Sequence, residues 1–176
     1  QGKALPDIIN KLKSVDYLTE IVIGLDRANL AHYKHALSFF AELPQHHRVL
    51  WNDGPRLQAL DKKLQTLGLA PKELGKGRNV WYCMGYILAS GRSESIALHD
   101  CDILTYEQSL LDRLLYPVAN PMFNYEFSKG YYARVAHGKI NGRVSRLLVT
   151  PLIKALKKTV GYCDYLEYMD SFLYPL

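Results

Sequence analysis

Thr19–Asp53 reads TEIVIGLDRANLAHYKHALSFFAELPQHHRVLWND, and the order of its elements decides the fold. Thr19–Asp26 is a short run rich in isoleucine and valine that stops at a carboxylate. That is the pattern of a strand buried on both faces. Asn29–Leu43 has the spacing of a helix. His47–Asp53 predicts a second strand, ended by the turn residues Asn52-Asp53-Gly54-Pro55. Strand, helix and strand in succession form the unit from which parallel sheets are built.

Outward from this unit the alternation continues. Upstream, Pro6 and Asp7 open a helix whose apolar face is Ile8, Ile9, Leu12 and Val15. Downstream, Arg56–Gly68 is amphipathic, with Gly68 as its stop. Gly75–Gly91 is a glycine-bounded loop followed by an apolar helix. Ser95–Asp102, SIALHDCD, predicts a third strand. Thr105–Val118 predicts a helix with Thr105 as N-cap and Gln108 three residues on. Met122–Val135 alternates as strands do, and Gly142–Val160 is helical with an interruption at Pro151. The whole reads as one α/β domain, residues 1–176, with a mainly parallel sheet flanked by helices. In such sheets ligands bind beyond the carboxyl ends of the strands. Three strands here are expected to end in acids: Asp26, Asp53, and Asp100 with Asp102.

The composition agrees with a folded domain. Hydrophobic residues make up 48% of the 176 residues and charged residues 22%, enough apolar surface for a sizeable core. The thirteen tyrosines suit cores and ligand pockets alike. The net charge is +5, but it is scattered, with small knots at Lys11–Lys13 and Lys157-Lys158. That pattern favours discrete phosphate contacts over a nucleic-acid stripe. The three cysteines, Cys83, Cys101 and Cys163, form no CxxC and read as the reduced thiols of a cytoplasmic protein. No signal peptide and no bilayer-length apolar run is visible. The apolar end "MDSFLYPL" suggests part of a larger domain.

Four segments could carry chemistry. In an extended Asp100-Cys101-Asp102 both carboxylates point to one side, and they repel unless a cation or proton lies between them. Mg²⁺ and Mn²⁺ take such oxygen ligands together with the phosphates of a substrate. As a bare pattern an ordinary acidic turn is the commoner reading; the place of these acids after Ile96-Ala97-Leu98 and before a capped helix brings the two readings level. Gly75-Lys76-Gly77 brings a flexible backbone and a cation to a helix start, where free N–H groups favour an anion; a plain loop is the competing reading. Gly138, Lys139, Asn141, Gly142, Arg143 and Ser145 make a polar loop leading into a helix, fit for a phosphate or for simple capping by Asn141 or Ser145. Lys129 lies among aromatics, facing a site acid or snorkelling to solvent. His99, beside the two acids, reads as a core histidine more readily than as a ligand. No Gly-x-Ser-x-Gly elbow, HExxH or paired-cysteine zinc pattern appears.

The order of these segments carries more than any one of them. A strand ending in LDRAN comes first, then Gly75-Lys76-Gly77 opening an apolar helix, then Asp100-Cys101-Asp102. Lys129-Gly130-Tyr131-Tyr132 follows, and then Gly142-Arg143-Val144-Ser145 with Pro151-Leu152. From Thr19 onward this resembles the retaining glucosyl-3-phosphoglycerate synthases and related mannosyl-phosphoglycerate-type glycosyltransferases of GT-A (Rossmann-like) fold. The resemblance implies that Asp102, with Asp100, holds Mg²⁺ or Mn²⁺ against the donor diphosphate, Asp100 lying near the donor ribose or sugar. It implies that Lys76 and Gly77 contact the nucleotide and that Asp26 borders the uridine pocket. Gly142, Arg143 and Ser145 would bind a small anionic acceptor such as 3-phosphoglycerate, and Lys129 joins Asp102 as a candidate catalytic residue. The donor would be a sugar nucleotide, UDP-glucose first, transferred with retention. A homodimer is compatible with this reading; a nucleic-acid partner or membrane span is not expected.

The departures are also informative. A family strand ending P-x-x-N-E is expected before Gln1, and a further metal ligand beyond Leu176. Ser145 stands for the usual threonine and Arg146 for the usual glutamate, a charge reversal at the acceptor loop. A nucleotidyltransferase and a non-catalytic sugar-nucleotide-binding domain are the competing readings.

Overall fold

The computed structural model describes residues 2–130, 135–136, 139–140 and 145–173. The chain divides into two compact units, Gln1–Phe123 and Asn124–Leu176. The first holds helices α1 (Ala4–Leu12), α2 (Leu30–Phe40), α3 (Pro55–Thr66), α4 (Lys76–Ser90) and α5 (Gln108–Ala119), with strands β1 (Ile21–Leu25) and β2 (His47–Trp51). The strands pair in parallel, from Ile21 opposite His47 to Leu25 opposite Trp51, with α2 as the crossover. The expected strand–helix–strand unit is therefore present, and the chain is an α/β protein.

Local chemistry explains these elements. Asn29 caps α2: its side chain accepts from the His32 N–H at 2.9 Å, and the His32 ring accepts from the Asn29 N–H at 3.4 Å. This is a capping box with histidine in the place usually taken by Glu or Gln. Pro55 opens α3, and Gly68 follows its end at φ +66°, a left-handed turn that glycine adopts without strain. The crossover packs Ile9, Ala36, Phe40, Leu43 and Val49 into one core, with Ile21, Ile23 and Leu25 of β1 against it. A second cluster joins Ala4 and Ile8 of α1 to Tyr106.

Two expectations fail here for physical reasons. α5 starts at Gln108 with Glu107 as its N-cap residue, not at Thr105. Tyr106 is buried against Ala4 and Ile8, so the segment before α5 is drawn into that cluster and helix begins only beyond it. Ser95–Asp102 forms no strand. A strand needs a ladder partner; β1 pairs with β2, and its other side, like Ser95–Asp102, borders a cavity. Cys101 and Asp102 lie in a turn.

In the second unit β3 (Val135–Ala136) and β4 (Lys139–Ile140) pair antiparallel. A π-helical turn, Ser145–Val149, leads into α6 (Thr150–Val160) and α7 (Asp164–Leu173). Pro151 sits in the first turn of α6, where it can donate no bond back into the preceding π-helical turn. Because the π-helical turn runs directly into α6, helix lies on both sides of Pro151 and the change from π to α falls beside it, at the expected interruption. Lys157 of α6 and Glu167 of α7 form an ion pair at 2.6 Å. Residues 122–130 form no strand, so alternation did not by itself produce a ladder there. Tyr131, Tyr132, Gly142 and Arg143 lie outside the described residues.

The helices α3 and α4 are joined by a buried charge pair. Arg78 Nη2 lies 2.8 Å from Asp61 Oδ2, with side chains only 5% and 14% exposed, and the Tyr82 hydroxyl also donates to Asp61. Burial alone would raise the Asp61 carboxyl, but the hydrogen bonds from Tyr82 and Arg78 outweigh it and hold it below its ordinary 3.8. Removing one member of such a pair strands a buried charge. Arg78→Ala is therefore expected to lower unfolding stability by about 3–5 kcal/mol, read from urea denaturation. The folded pKa is the lower one, so the Asp61 contribution is complete above the ordinary value and disappears as pH falls through the folded value. The wild type should thus lose stability on acidification below pH ~4 more steeply than Asp61→Asn; parallel curves would refute the assignment.

Candidate functional site

β1 and β2 deliver two polar loops to their shared carboxyl end. After β1 come Asp26, Arg27, Ala28 and Asn29; after β2 come Asn52 and Asp53. The first loop is held by the second. Asp53 Oδ2 accepts from the Ala28 N–H at 2.9 Å. Trp51 Nε1 donates to the Ala28 carbonyl at 2.6 Å, and its ring stacks on Tyr33 at 4.9 Å. Asn52 Nδ2 donates to Asp26 Oδ1 at 3.3 Å. These anchors accommodate Arg27 at φ +54°, a conformation uncommon for a side-chain-bearing residue.

α4 closes the same corner. Asn79 Nδ2 donates to the Gly24 carbonyl at 3.1 Å, and Asn79 Oδ1 accepts from Asn52 Nδ2 at 2.9 Å. Gly24 makes this approach possible: a Cβ there would lie 2.7 Å from Asn79 Cγ, the use of a strand glycine where another group comes close. At the tip of α4, Lys76 donates to Asp100. This pair is open to water, with side chains 69% and 41% exposed, and such pairs contribute little to stability.

A cavity of about 1540 Å³ opens here, between α1, β1, α4, α5 and the segment Ser95–Asp102. Much of its wall is apolar, including Ile21, Ile23, Val80 and Leu111. Lys76, Asn79, Asp100 and Asp102 supply polar lining. His99 also lines it and packs against Tyr106 at 5.4 Å between ring centroids. Burial lowers the His99 pKa despite the opposing pull of Asp100, so the ring is neutral near pH 7. Both ring nitrogens are buried without a hydrogen-bond partner among the described residues, so His99 is not the satisfied histidine expected. Cys83, on the same wall, is pushed up to about 11 by burial and stays a thiol.

The structure therefore brings Lys76, Asp100 and Asp102 to one cavity and ties Asp26 to it through Asn52 and Asn79. Gly77 lies in the first turn of α4 with no atom within 4 Å of where a Cβ would be. Lys129 and Ser145 belong to the second unit. Lys129 is exposed, in a segment without strand pairing, and Ser145 opens the π-helical turn. Among the described residues no group of three or more His, Cys, Asp or Glu side chains is placed to hold a metal ion. Asp100 and Asp102 both line the cavity and offer carboxylate oxygens of the kind a hard cation takes; Cys101 and Asp102 lie in a turn, so the extended geometry expected to aim both carboxylates to one side is not formed. Asn52 and Asn79 were not singled out by motif. Asn52 sits in a turn tetrad and Asn79 inside a helix, and only their position at the strand ends marks them.

No protein-family model and no solved structure matches the chain. Two curated relatives match all of it. It is 48% identical over 176 residues to glucosyl-3-phosphoglycerate synthase of Persephonella marina and 38% identical over 180 residues to the protein of that name from Methanococcoides burtonii. The chain spans 43% of the first relative and 44% of the second. Along its entire length the chain is thus similar to somewhat under half of two proteins named glucosyl-3-phosphoglycerate synthase.

Proposed function

We propose that the polypeptide carrying this sequence is a metal-dependent retaining glucosyltransferase of GT-A type, moving glucose from UDP-glucose to a small phosphorylated acid of the 3-phosphoglycerate kind. The observation that carries this reading is the convergence of Lys76, Asp100 and Asp102 on one cavity beside the strand ends, in a chain matched throughout by relatives of that name.

Each residue has a task in this reading. Asp26, fixed by Asn52, borders the nucleoside. Lys76 and the first-turn amides of α4 receive the diphosphate, because no side chain caps that helix start and free N–H groups there favour anions. Asp102 and Asp100 would hold a divalent cation, which would supply positive charge against the departing diphosphate. The anomeric carbon–oxygen bond to UDP breaks, the bond to the acceptor oxygen forms on the same face, and the hydroxyl proton leaves with the diphosphate. Gly142, Arg143 and Ser145 bind the anionic acceptor, and Lys129 is a further candidate catalytic residue.

The two glycines of the loop have separate reasons. Gly75 holds φ +142° and ψ −168°, a region nearly closed to other residues. Gly77 has ordinary helical surroundings and open space where its side chain would be. Gly75→Ala should cost about 1–3 kcal/mol of folding stability. Gly77→Ala should leave stability equal or up to ~1 kcal/mol higher, yet weaken UDP binding by blocking close backbone approach. Thermal unfolding and calorimetric titration with UDP and Mn²⁺ separate the two effects; equal UDP affinity in Gly77→Ala would remove the loop from the donor site.

Asp102→Ala should cut metal-dependent release of UDP from UDP-glucose by roughly 10²–10³-fold. Undiminished release sinks the assignment. Arg143→Ala should raise the KM for the phosphorylated acceptor by roughly 10–100-fold through loss of a charge-assisted contact, with donor KM unmoved. Pyrophosphate formed from a nucleoside triphosphate and a sugar phosphate would instead support a nucleotidyltransferase, and UDP binding without turnover a non-catalytic domain.

A further inference from the structure

The polar groups behind the site form a chain with only one consistent orientation. The Gly24 carbonyl can only accept, so the Asn79 amide must turn its Nδ2 toward it, at 3.1 Å. That leaves Asn79 Oδ1 facing Asn52, which must present its own Nδ2, at 2.9 Å. The same Nδ2 reaches the Asp26 carboxylate at 3.3 Å. Asn52 is 2% exposed and cannot exchange these partners for water. Its backbone is fixed as well: its N–H donates to the Leu25 carbonyl at 2.9 Å, and its own carbonyl accepts from Gln58 Nε2 at 3.0 Å. Asn79 lies one helical turn from Lys76, in the first turn of α4.

We infer that Asn79 and Asn52 are positioning residues that lock the nucleoside-side carboxylate, Asp26, and the diphosphate-side turn, Lys76–Asn79, into one rigid donor-binding frame. The inference rests on the donor reading above. Neither amide touches the donor. Each acts through the group it holds, and the frame is assembled before any ligand arrives. Its consequence is coupling: an anion seated on the first turn of α4 also orders the loop after β1.

Full-length protein tests this in two ways. In wild type, hydrogen exchange is followed with inorganic pyrophosphate and Mn²⁺, a probe without a nucleoside. Pyrophosphate should slow exchange at Lys76–Asn79 and also at Asp26–Asn29; slowing confined to Lys76–Asn79 overturns the inference. In Asn79→Asp, a carboxylate oxygen replaces the donor facing Gly24 while size is kept. UDP affinity should fall about tenfold and the KM for UDP-glucose rise about tenfold, with kcat and acceptor KM within about twofold. A merely structural role would lower the folded fraction, hence kcat, and leave donor KM and UDP affinity unmoved; that outcome also overturns it. If circular dichroism shows Asn79→Asp unfolded, Asn79→Ser takes its place, and the wild-type exchange result stands independently. Wild type that binds neither UDP nor pyrophosphate refutes the donor reading itself, and the inference with it.

Discussion

The constraint on which the first unit turns is the burial of Asn52. A primary amide taken out of water must find partners or cost stability comparable to several ordinary contacts. Asn52 finds them for its Nδ2, on Asp26 after β1 and on Asn79 of α4, while its buried Oδ1 has no partner among the described residues; its backbone N–H donates to the Leu25 carbonyl. The parallel pairing of β1 with β2 sets the strands side by side but leaves open how their ends meet the next helix. The amide chain settles that. It also explains Gly24, whose missing side chain is the space in which Asn79 lies.

A second buried polar device stands in the same turn of α4. The Arg78–Asp61 pair, joined by Tyr82, ties α4 to α3. α4 is thus held at its first turn on both sides, toward the sheet by Asn79 and toward α3 by Arg78. The π-cloud of Tyr82 adds a further contact, with the Arg78 guanidinium 5.6 Å from the ring centre, within the range of cation–π attraction. Adjacent residues in sequence, Arg78 and Asn79, face different partners because neighbouring helical positions do not share a face.

Much of this was legible in the sequence, and the illegible parts have a common cause. The β1–α2–β2 unit could be read because a buried parallel strand is a continuous apolar run and a crossover helix repeats at 3.6 residues; both signals are local. Asp100 and Asp102 were visible because paired carboxylates are conspicuous. The strand expected at Ser95–Asp102 fails because pairing is a property of two segments, and no local pattern states whether the partner edge is adjacent. The Thr105 cap fails likewise: Tyr106 is claimed by Ala4 and Ile8, residues distant in sequence. Asn52 and Asn79 stayed hidden because a single asparagine in a turn, or in a helix, is commonplace. Their meaning lies in meeting each other across 27 residues.

The distribution of charge then follows from solvation. Where a polar side chain must keep one geometry, the fold withdraws it from water and holds it on fixed partners, as with Asn52, Arg78 and Asp61, although Asn52 Oδ1 and Arg78 Nε are left without one among the described residues. Where a side chain must exchange partners, burial would be self-defeating, since each exchange would pass through an unpaired, desolvated charge. Lys76 and Asp100 are accordingly paired in water, in a contact cheap to break. A ligand bearing phosphates can compete for Lys76, and a cation for Asp100, without disturbing anything the fold depends on. The rigid amides set the position of α4, while the charges at its tip stay solvated and open to exchange. Fixed and exchangeable polar groups thus share one helix turn, Lys76 turned to solvent and Arg78 and Asn79 turned inward.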